Sequence, residues 1–519
     1  MMNANLLDFP DDADIIIDNG PAIIQKGKNR LEVNPGFFAA KMKKVFNLIY
    51  FRSNGWFEWA DNGWEPVRKC TLQGRIRDLL KDEVRYAGKR QKSLIPLLKN
   101  VSYSTDPAYD LVNTGNINEI LRLLILECNQ GETLPPLDPN AIPLRNKLLK
   151  WDVEEAKFVA REYEPEDMIF YKLDAEYDDQ VKALIEKPDG DEKTASPSDS
   201  GSNLFLKKIA EILPKDDDRR VVQEYMGAAL FPENRTRKFM LFQGEGGCGK
   251  SLLQKLLTSI LTVDRTFDLN FDSIRQNFSL SALTTQTLLS ASEAASKAFQ
   301  DSSCSEFVKK CVGGDFFQTE QKYQNLKYNH YGFFSLLIVS NNSLRFQYDG
   351  RGEEFKDRLI PILFEHHFDA AEQDKELATK LLNNHKSDIL VWLLEGARRV
   401  RLNNWNIQMS PSQISRRDKI VEATRGIELF VRNHIIREKF GSFSSQAAYD
   451  AYIKLQDDVG FEYLTERQFQ HRLHKAMAGI YRATPCNTVH ENPKDKNTVR
   501  GYHGFRLETT ETVEKNIKD

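Results

Sequence analysis

Phe239-Met-Leu-Phe242 runs into Gly244-Glu245-Gly246-Gly247-Cys248-Gly249-Lys250-Ser251, and Leu252-Leu-Gln-Lys-Leu-Leu-Thr-Ser-Ile-Leu261 follows. An apolar strand, a loop spaced G-x-x-x-x-G-K-[ST] and a helix make up the arrangement that cradles nucleotide phosphates. Glycines let successive backbone amides turn inward around an anion. The helix behind them points its positive end at the same place. Lys250 is suited to neutralise β/γ-phosphate charge, and the Ser251 hydroxyl to hold Mg²⁺. The residues from Gly244 to Leu252 are therefore the candidate ATP-binding loop, with Lys250 as a catalytic candidate.

The rest of the chain bounds what such a loop serves. A length of 519 residues predicts roughly three or four domains. Composition is that of an ordinary globular protein, with 40% hydrophobic and 28% charged residues. The net charge of −3 gives no overall basic signature, so any nucleic-acid site has to be local. The longest apolar runs, such as Phe333-Phe-Ser-Leu-Leu-Ile-Val339, are too short to span a bilayer. The acidic start has no signal-peptide pattern. Six cysteines without a C-x-x-C pair argue against a zinc ribbon and for a reducing, cytoplasmic setting.

Along the chain, Ile15-Ile-Ile17 reads as a strand after an acidic turn. Aromatics alternating around Ser53-Asn-Gly55 and Asp61-Asn-Gly63 predict a β-meander. Helices are expected over 71–86 and 117–128, and strand–turn–strand over 140–151. The Ser/Asp/Pro/Gly-rich stretch 187–202 cannot bury a core and is read as a linker. Two helices precede the loop. Strands at 239–243, 287–291 and 335–340 alternate with helices, which points to an α/β fold with a parallel sheet. A helical stretch over 373–402 ends this part.

Residues 425–508 have a pattern of their own. Helices are expected over 427–440 and 445–458, and a third starts at Thr465. Gln468 completes a capping box there, and Leu464 and Phe469 form its hydrophobic staple. Phe469, Leu473, Ala476 and Met477 line one face of that helix. Arg467, Gln470, His471, His474 and Lys475 line the other. Strand-like runs at 481–484 and 499–507 flank the turn-rich 491–496. Three helices and a hairpin is the winged-helix order, so Arg467, His471 and Lys475 are candidate DNA contacts.

Beyond the loop, Thr287-Leu-Leu-Ser-Ala-Ser-Glu293 is an apolar strand ending in a carboxylate. Glu293 is the candidate base and metal partner beside Ser251. Gly313-Gly-Asp315, Phe316-Phe-Gln-Thr-Glu-Gln-Lys322 and Phe333-Phe-Ser-Leu-Leu-Ile-Val-Ser-Asn341 follow. This order resembles the superfamily 3 helicases, and within them the phage, plasmid and poxvirus primase-helicase type.

The resemblance covers most of 140–507. It implies an AAA+-type ATPase core over 203–402, after an α+β N-terminal region over 1–186. A connector over 403–424, a winged-helix domain over 425–508 and a tail over 509–519 complete the organisation. Asn341 would sense the γ-phosphate. Lys322, with Lys327 or His330, would belong to a hairpin gripping single-stranded DNA. Arg358 would be the finger acting on a neighbour's ATP, with Arg351 as the second choice. Cys248 replaces the family's asparagine, and Ser292 stands where the acidic Mg²⁺ partner is usual.

The implied activity is ATP-driven DNA unwinding with 3′–5′ movement, by a ring-shaped homo-oligomer, a hexamer, using ATP and Mg²⁺ on single-stranded and forked DNA. A separate primase or single-strand-binding protein would be a partner. The alternative is a replication initiator or DNA-binding scaffold that does not unwind processively.

Overall fold

The structure is a computed structural model that describes residues 13–26, 30–90, 111–136, 138–186, 203–274, 283, 285–292, 302–320, 327–341, 356–369, 371–423, 426–459, 464–490 and 498–508. The stretches expected as a linker over 187–202, a turn over 491–496 and a tail over 509–519 lie outside these residues, as do Glu293, Lys322 and Arg351. The chain divides into two compact units, residues 1–150 with 159–177 and residues 151–158 with 178–519.

The first unit is α+β. Leu48–Phe51, Gly55–Ala60 and Gly63–Val67 form an antiparallel meander whose turns fall at the Asn-Gly signals. Helices Pro35–Phe46, Lys69–Arg90 and Thr114–Cys128 share one core of Phe37, Phe38, Leu72, Ile76, Leu80, Ile120 and Leu124. Inside it, the Lys41 ammonium meets the Glu83 carboxylate at 2.7 Å, both side chains almost fully buried. Residues 15–17 were expected to be a strand, but Ala13–Asn19 is a helix. Ile15 is buried there while Ile17 is 80% exposed. One anchoring contact, absent from the local pattern, overrides the strand preference of three successive isoleucines.

The second unit contains a five-stranded parallel sheet. Its strands are β1 (Phe239–Gln243), β2 (Thr266–Asp268), β3 (Leu288–Ala291), β4 (Ser335–Ser340) and β5 (Leu359–Leu363), in spatial order β2-β3-β4-β1-β5. Parallel neighbours need crossovers, and helices supply them. Strands β1, β3 and β4 are buried along almost their whole length, as expected for a sheet covered on both faces.

Helices of this unit include α1 (Leu204–Ile212), α2 (Asp216–Ala228), α3 (Lys250–Arg265), α4 (Ser302–Gly313), α5 (Leu377–Asn384), α6 (Lys386–Leu402) and α7 (Pro411–Ala423). Helices α2 and α6 cross at glycines. A Cβ on Gly396 would stand 2.0 Å from the Gln223 carbonyl oxygen, and one on Gly227 would stand 2.3 Å from that of Leu393. Tyr225 on α2 donates its hydroxyl hydrogen to the Leu336 carbonyl of β4 at 2.9 Å. Between α4 and β4, Phe316–Glu320 and Lys327–Tyr331 pair as an antiparallel hairpin.

At the C-terminus, α8 (Gly426–His434), β6 (Ile435–Ser444), α9 (Ser445–Val459), α10 (Glu466–Tyr481), β7 (Cys486–Val489) and β8 (Val499–Leu507) share one core around Phe430, Tyr452, Phe469 and Leu473. The first helix was expected to run through Phe440. It stops at His434, and the following residues pair with β8 as a strand. The β-branched pair Ile435-Ile436 favours a strand once a partner strand is present. The expected strand over 481–484 falls instead at Cys486–Val489, because α10 continues to Tyr481.

Candidate functional site

Strand β1 ends at Gln243, and the loop turns at Gly244, Gly247 and Gly249, with φ of +156°, +81° and +88°. The latter two lie in the left-handed region that side chains disfavour. Gly244 also needs its missing Cβ, which would stand 2.5 Å from the Phe364 carbonyl oxygen. Lys250 opens α3 and is 4% exposed. Its ammonium donates to the carbonyls of Gly244, at 2.7 Å, and Glu245. Burial lowers its pKa from the ordinary lysine value, partly offset by Cys248. Cys248 is buried with its thiol 3.9 Å from the Gly246 carbonyl, while Glu245, Gly246, Gly247 and Ser251 are exposed. The mouth of the loop is thus open and polar, and a cation sits beneath it.

The neighbouring strands end at the same level. Gln243 pairs with Ser340, so Gly244 and Asn341 leave adjacent strands side by side. Ser290 pairs with Leu337, and Ala291 with Ile338, on the other side of β4. Crevices beyond the carboxyl ends of parallel strands are where α/β sheets bind ligands. Gln254, on the inner face of α3, donates to the Ser290 hydroxyl at 2.8 Å and the Ser292 hydroxyl at 2.9 Å. It ties the loop's helix to β3, a link that no motif announces.

Not every candidate joins this centre. The Arg358 guanidinium donates to the Lys309 carbonyl at 2.7 Å, in the last turns of α4. In this chain it serves as a helix-end cap. On the hairpin, Lys327 pairs with Glu320 and His330 with Phe317 in strand register. At the hairpin's base, Phe316 and Tyr331 are exposed and meet edge to face at 5.7 Å.

In the C-terminal module, the Thr465–Gln468 capping box forms in both directions. Arg467, His471 and Lys475 lie four residues apart on one exposed stripe of α10. His474 does not share that stripe. It turns to the Tyr502 hydroxyl at 2.6 Å, and its Nε2 is buried without a hydrogen-bond partner. Sequence reasoning also missed an excursion in β6. Between the pairs Arg437–Phe505 and Ser442–His503 the register shifts, and Phe440 projects with 92% of its surface exposed beside the Lys439 ammonium.

A triphosphate fits the loop chemically, since a glycine turn, a helix start and a buried ammonium all favour an anion. For Mg²⁺, the described residues after the loop and after β3 that offer hydroxyl donors include Ser251 and Ser292. No cluster of three or more His, Cys, Asp or Glu able to hold a metal occurs among the described residues. All six cysteines are free thiols. Among the described residues no helix is long and apolar enough to cross a membrane.

A family model described as "Family of unknown function (DUF5906)" matches residues 242–358, the span from the end of β1 to Arg358. No curated protein matches the chain. Similar solved structures include the apo structure of the NrS-1 C-terminal region. It is 12% identical with a TM-score of 0.43, covering 90% of this chain and 98% of that chain. The A form of the same region is also 12% identical, with a TM-score of 0.41 over the same shares. Likeness of this degree carries no argument about activity.

Proposed function

We propose that this chain is an ATP-driven DNA helicase of the replication type found in phages, plasmids and mobile elements. Its core is read as an AAA+-type ATPase with a C-terminal winged helix. The observation that carries the reading is the loop itself. A glycine turn after β1, which pairs with β4 on one side and β5 on the other in the parallel sheet, places Lys250 under an open mouth. The sheet order, the hairpin inserted before β4 and the helix–hairpin module at the C-terminus support the same assignment.

In this mechanism the loop amides and Lys250 bind the β- and γ-phosphates and stabilise charge as the terminal phosphoryl group leaves. Bound Mg²⁺ would supply further neutralisation of phosphate charge, held through the Ser251 hydroxyl. Ser292 offers a neutral donor where a carboxylate is common, and Gln254 keeps that hydroxyl in place. Asn341, which follows β4 where Gly244 follows β1, is proposed to sense the γ-phosphate. Glu293, the next residue after Ser292, is the proposed base. Lys322, Lys327 and His330 are proposed to track a single strand, and the Arg467, His471 and Lys475 stripe to hold duplex or forked DNA.

The test is strand displacement from a forked duplex with ATP and Mg²⁺, run beside ATP hydrolysis. Wild type should unwind, and Lys250→Ala should abolish both activities. Hydrolysis without displacement would favour the initiator or scaffold reading. The cap made by Arg358 within its own chain favours that second reading, because a finger must reach a neighbour.

A further inference from the structure

We propose that the segment after β5, from Phe364 to Asp369 together with Gln373, is a strap that aims the amides of the phosphate loop. His367 is its positioning residue. The inference rests on the nucleotide-binding reading above and extends it to residues outside any recognised motif.

Strand β5 pairs with β1 in parallel, with Gln243 opposite Leu363. The chain then continues alongside the loop. The Phe364 amide donates to the Gln243 carbonyl at 2.8 Å, and the Phe364 ring packs on Phe242. Three residues on, the His367 Nδ1 lies 2.8 Å from the Gly246 carbonyl oxygen. A carbonyl only accepts, so Nδ1 carries the hydrogen. The Phe368 amide reaches the Gly247 carbonyl at 3.3 Å. Gln373 closes the strap by donating to the Phe368 carbonyl at 2.7 Å. The approach is close enough that a Cβ on Gly247 would stand 2.8 Å from the Gln373 amide nitrogen and 3.1 Å from the His367 ring.

The consequence follows from peptide geometry. In a planar trans peptide the carbonyl of one residue and the N–H of the next point in opposite directions. Holding the Gly246 and Gly247 carbonyls against the strap therefore turns the N–H groups of Gly247 and Cys248 the other way, into the mouth. The Gly244 and Glu245 carbonyls are held by Lys250 instead. Lys250 has to release them to reach a phosphate. The strap's two bonds do not compete with the ligand, so they hold the glycine turn in both states.

Isothermal titration of ATP with Mg²⁺ into the full chain, with steady-state ATPase kinetics, tests this. Asn and Gln separate the geometry, since an Asn amide nitrogen overlays Nδ1 and a Gln amide nitrogen overlays Nε2. His367→Ala and His367→Gln should raise Kd and KM for ATP about three- to tenfold, the worth of one hydrogen bond, with kcat unchanged. His367→Asn should stay within about twofold of wild type. All three should melt within about 4 °C of the wild-type midpoint, since the ring is exposed and the one bond at stake is worth about 1 kcal/mol. Wild-type affinity in His367→Ala overturns the strap's role while leaving nucleotide binding intact. An Asn variant as weak as Ala also overturns it, by showing that the ring itself meets the nucleotide. Wild type that binds no ATP removes both readings together.

Discussion

The crossing of α2 and α6 offers a sharp test of the packing around the parallel sheet. Gly396→Ala places a methyl 2.0 Å from the Gln223 carbonyl oxygen and 2.5 Å from its carbon, whereas ordinary contact begins near 3.4 Å. These are backbone atoms, so no side chain can swing aside and the helices must part by more than an ångström. Overpacking of this kind costs about 1–3 kcal/mol. Parting the helices also strains buried hydrogen bonds, from Gln223 to the Trp392 carbonyl at 2.8 Å and from Arg399 to Glu224 at 3.2 Å, where a lost partner costs about 1–3 kcal/mol. Replacing a helical glycine returns about 1 kcal/mol in propensity.

The net expectation is a loss of about 1–5 kcal/mol, a fall of roughly 2–20 °C in the melting of this unit. Gly74→Ala is the control. It lies inside the helix Lys69–Arg90, and nothing comes within 4 Å of its added Cβ. That variant should gain stability by up to about 1 kcal/mol. Differential scanning calorimetry on both variants reads the difference. If Gly396→Ala melts at or above the wild-type temperature, the close crossing is not what holds these helices.

Three further outcomes are expected. Arg358→Ala should lose the bond to the Lys309 carbonyl, at a cost of about 1.5–3 kcal/mol by chemical denaturation; intact stability with collapsed ATPase activity would instead identify it as a finger. Arg467→Ala with Lys475→Ala should weaken DNA binding at all sequences and flatten the log–log salt dependence by about 2, measured by fluorescence anisotropy. Burial pushes the pKa of His474 below 6.5, with smaller contributions from Arg500 and His471, and burial does the same to His434. Both are therefore held neutral in the fold, and their stabilising contribution is present above pH 6.5 and lost as pH falls through the depressed values. Melting followed between pH 7.5 and 5 should show this loss, and His434→Gln with His474→Gln should reduce it.

The parts that were legible from sequence are those whose pattern is local. Leu72, Ile76, Leu79 and Leu80 repeat at helical spacing, and all four are buried. The runs at 239–243 and 335–340, apolar except for Gln243, Ser335 and Ser340 at their ends, are strands to the residue. Thr465 and Gln468 sit at the fixed offset of a capping box, which formed. What failed was local pattern with a distant partner. Ile435–Ser444 is a strand because β8 supplies its ladder, and Thr266–Asp268 is too short to carry any periodicity. His474 looked like one more polar residue of the α10 surface, yet Tyr502 on β8 draws it inward.

The candidate site divides in the same way. The sequence by itself determined the glycine turn and the helix that follows it, since these depend on glycines, a lysine and a helix start that are contiguous along the chain. Only the tertiary structure decided which strands flank that loop, that Gln254 ties it to β3, that Arg358 caps a helix, and that His367 lies against Gly246. Each of those contacts joins residues far apart in sequence at distances of about 3 Å. A one-dimensional pattern does not encode which distant groups meet at that range, and the folded sheet does.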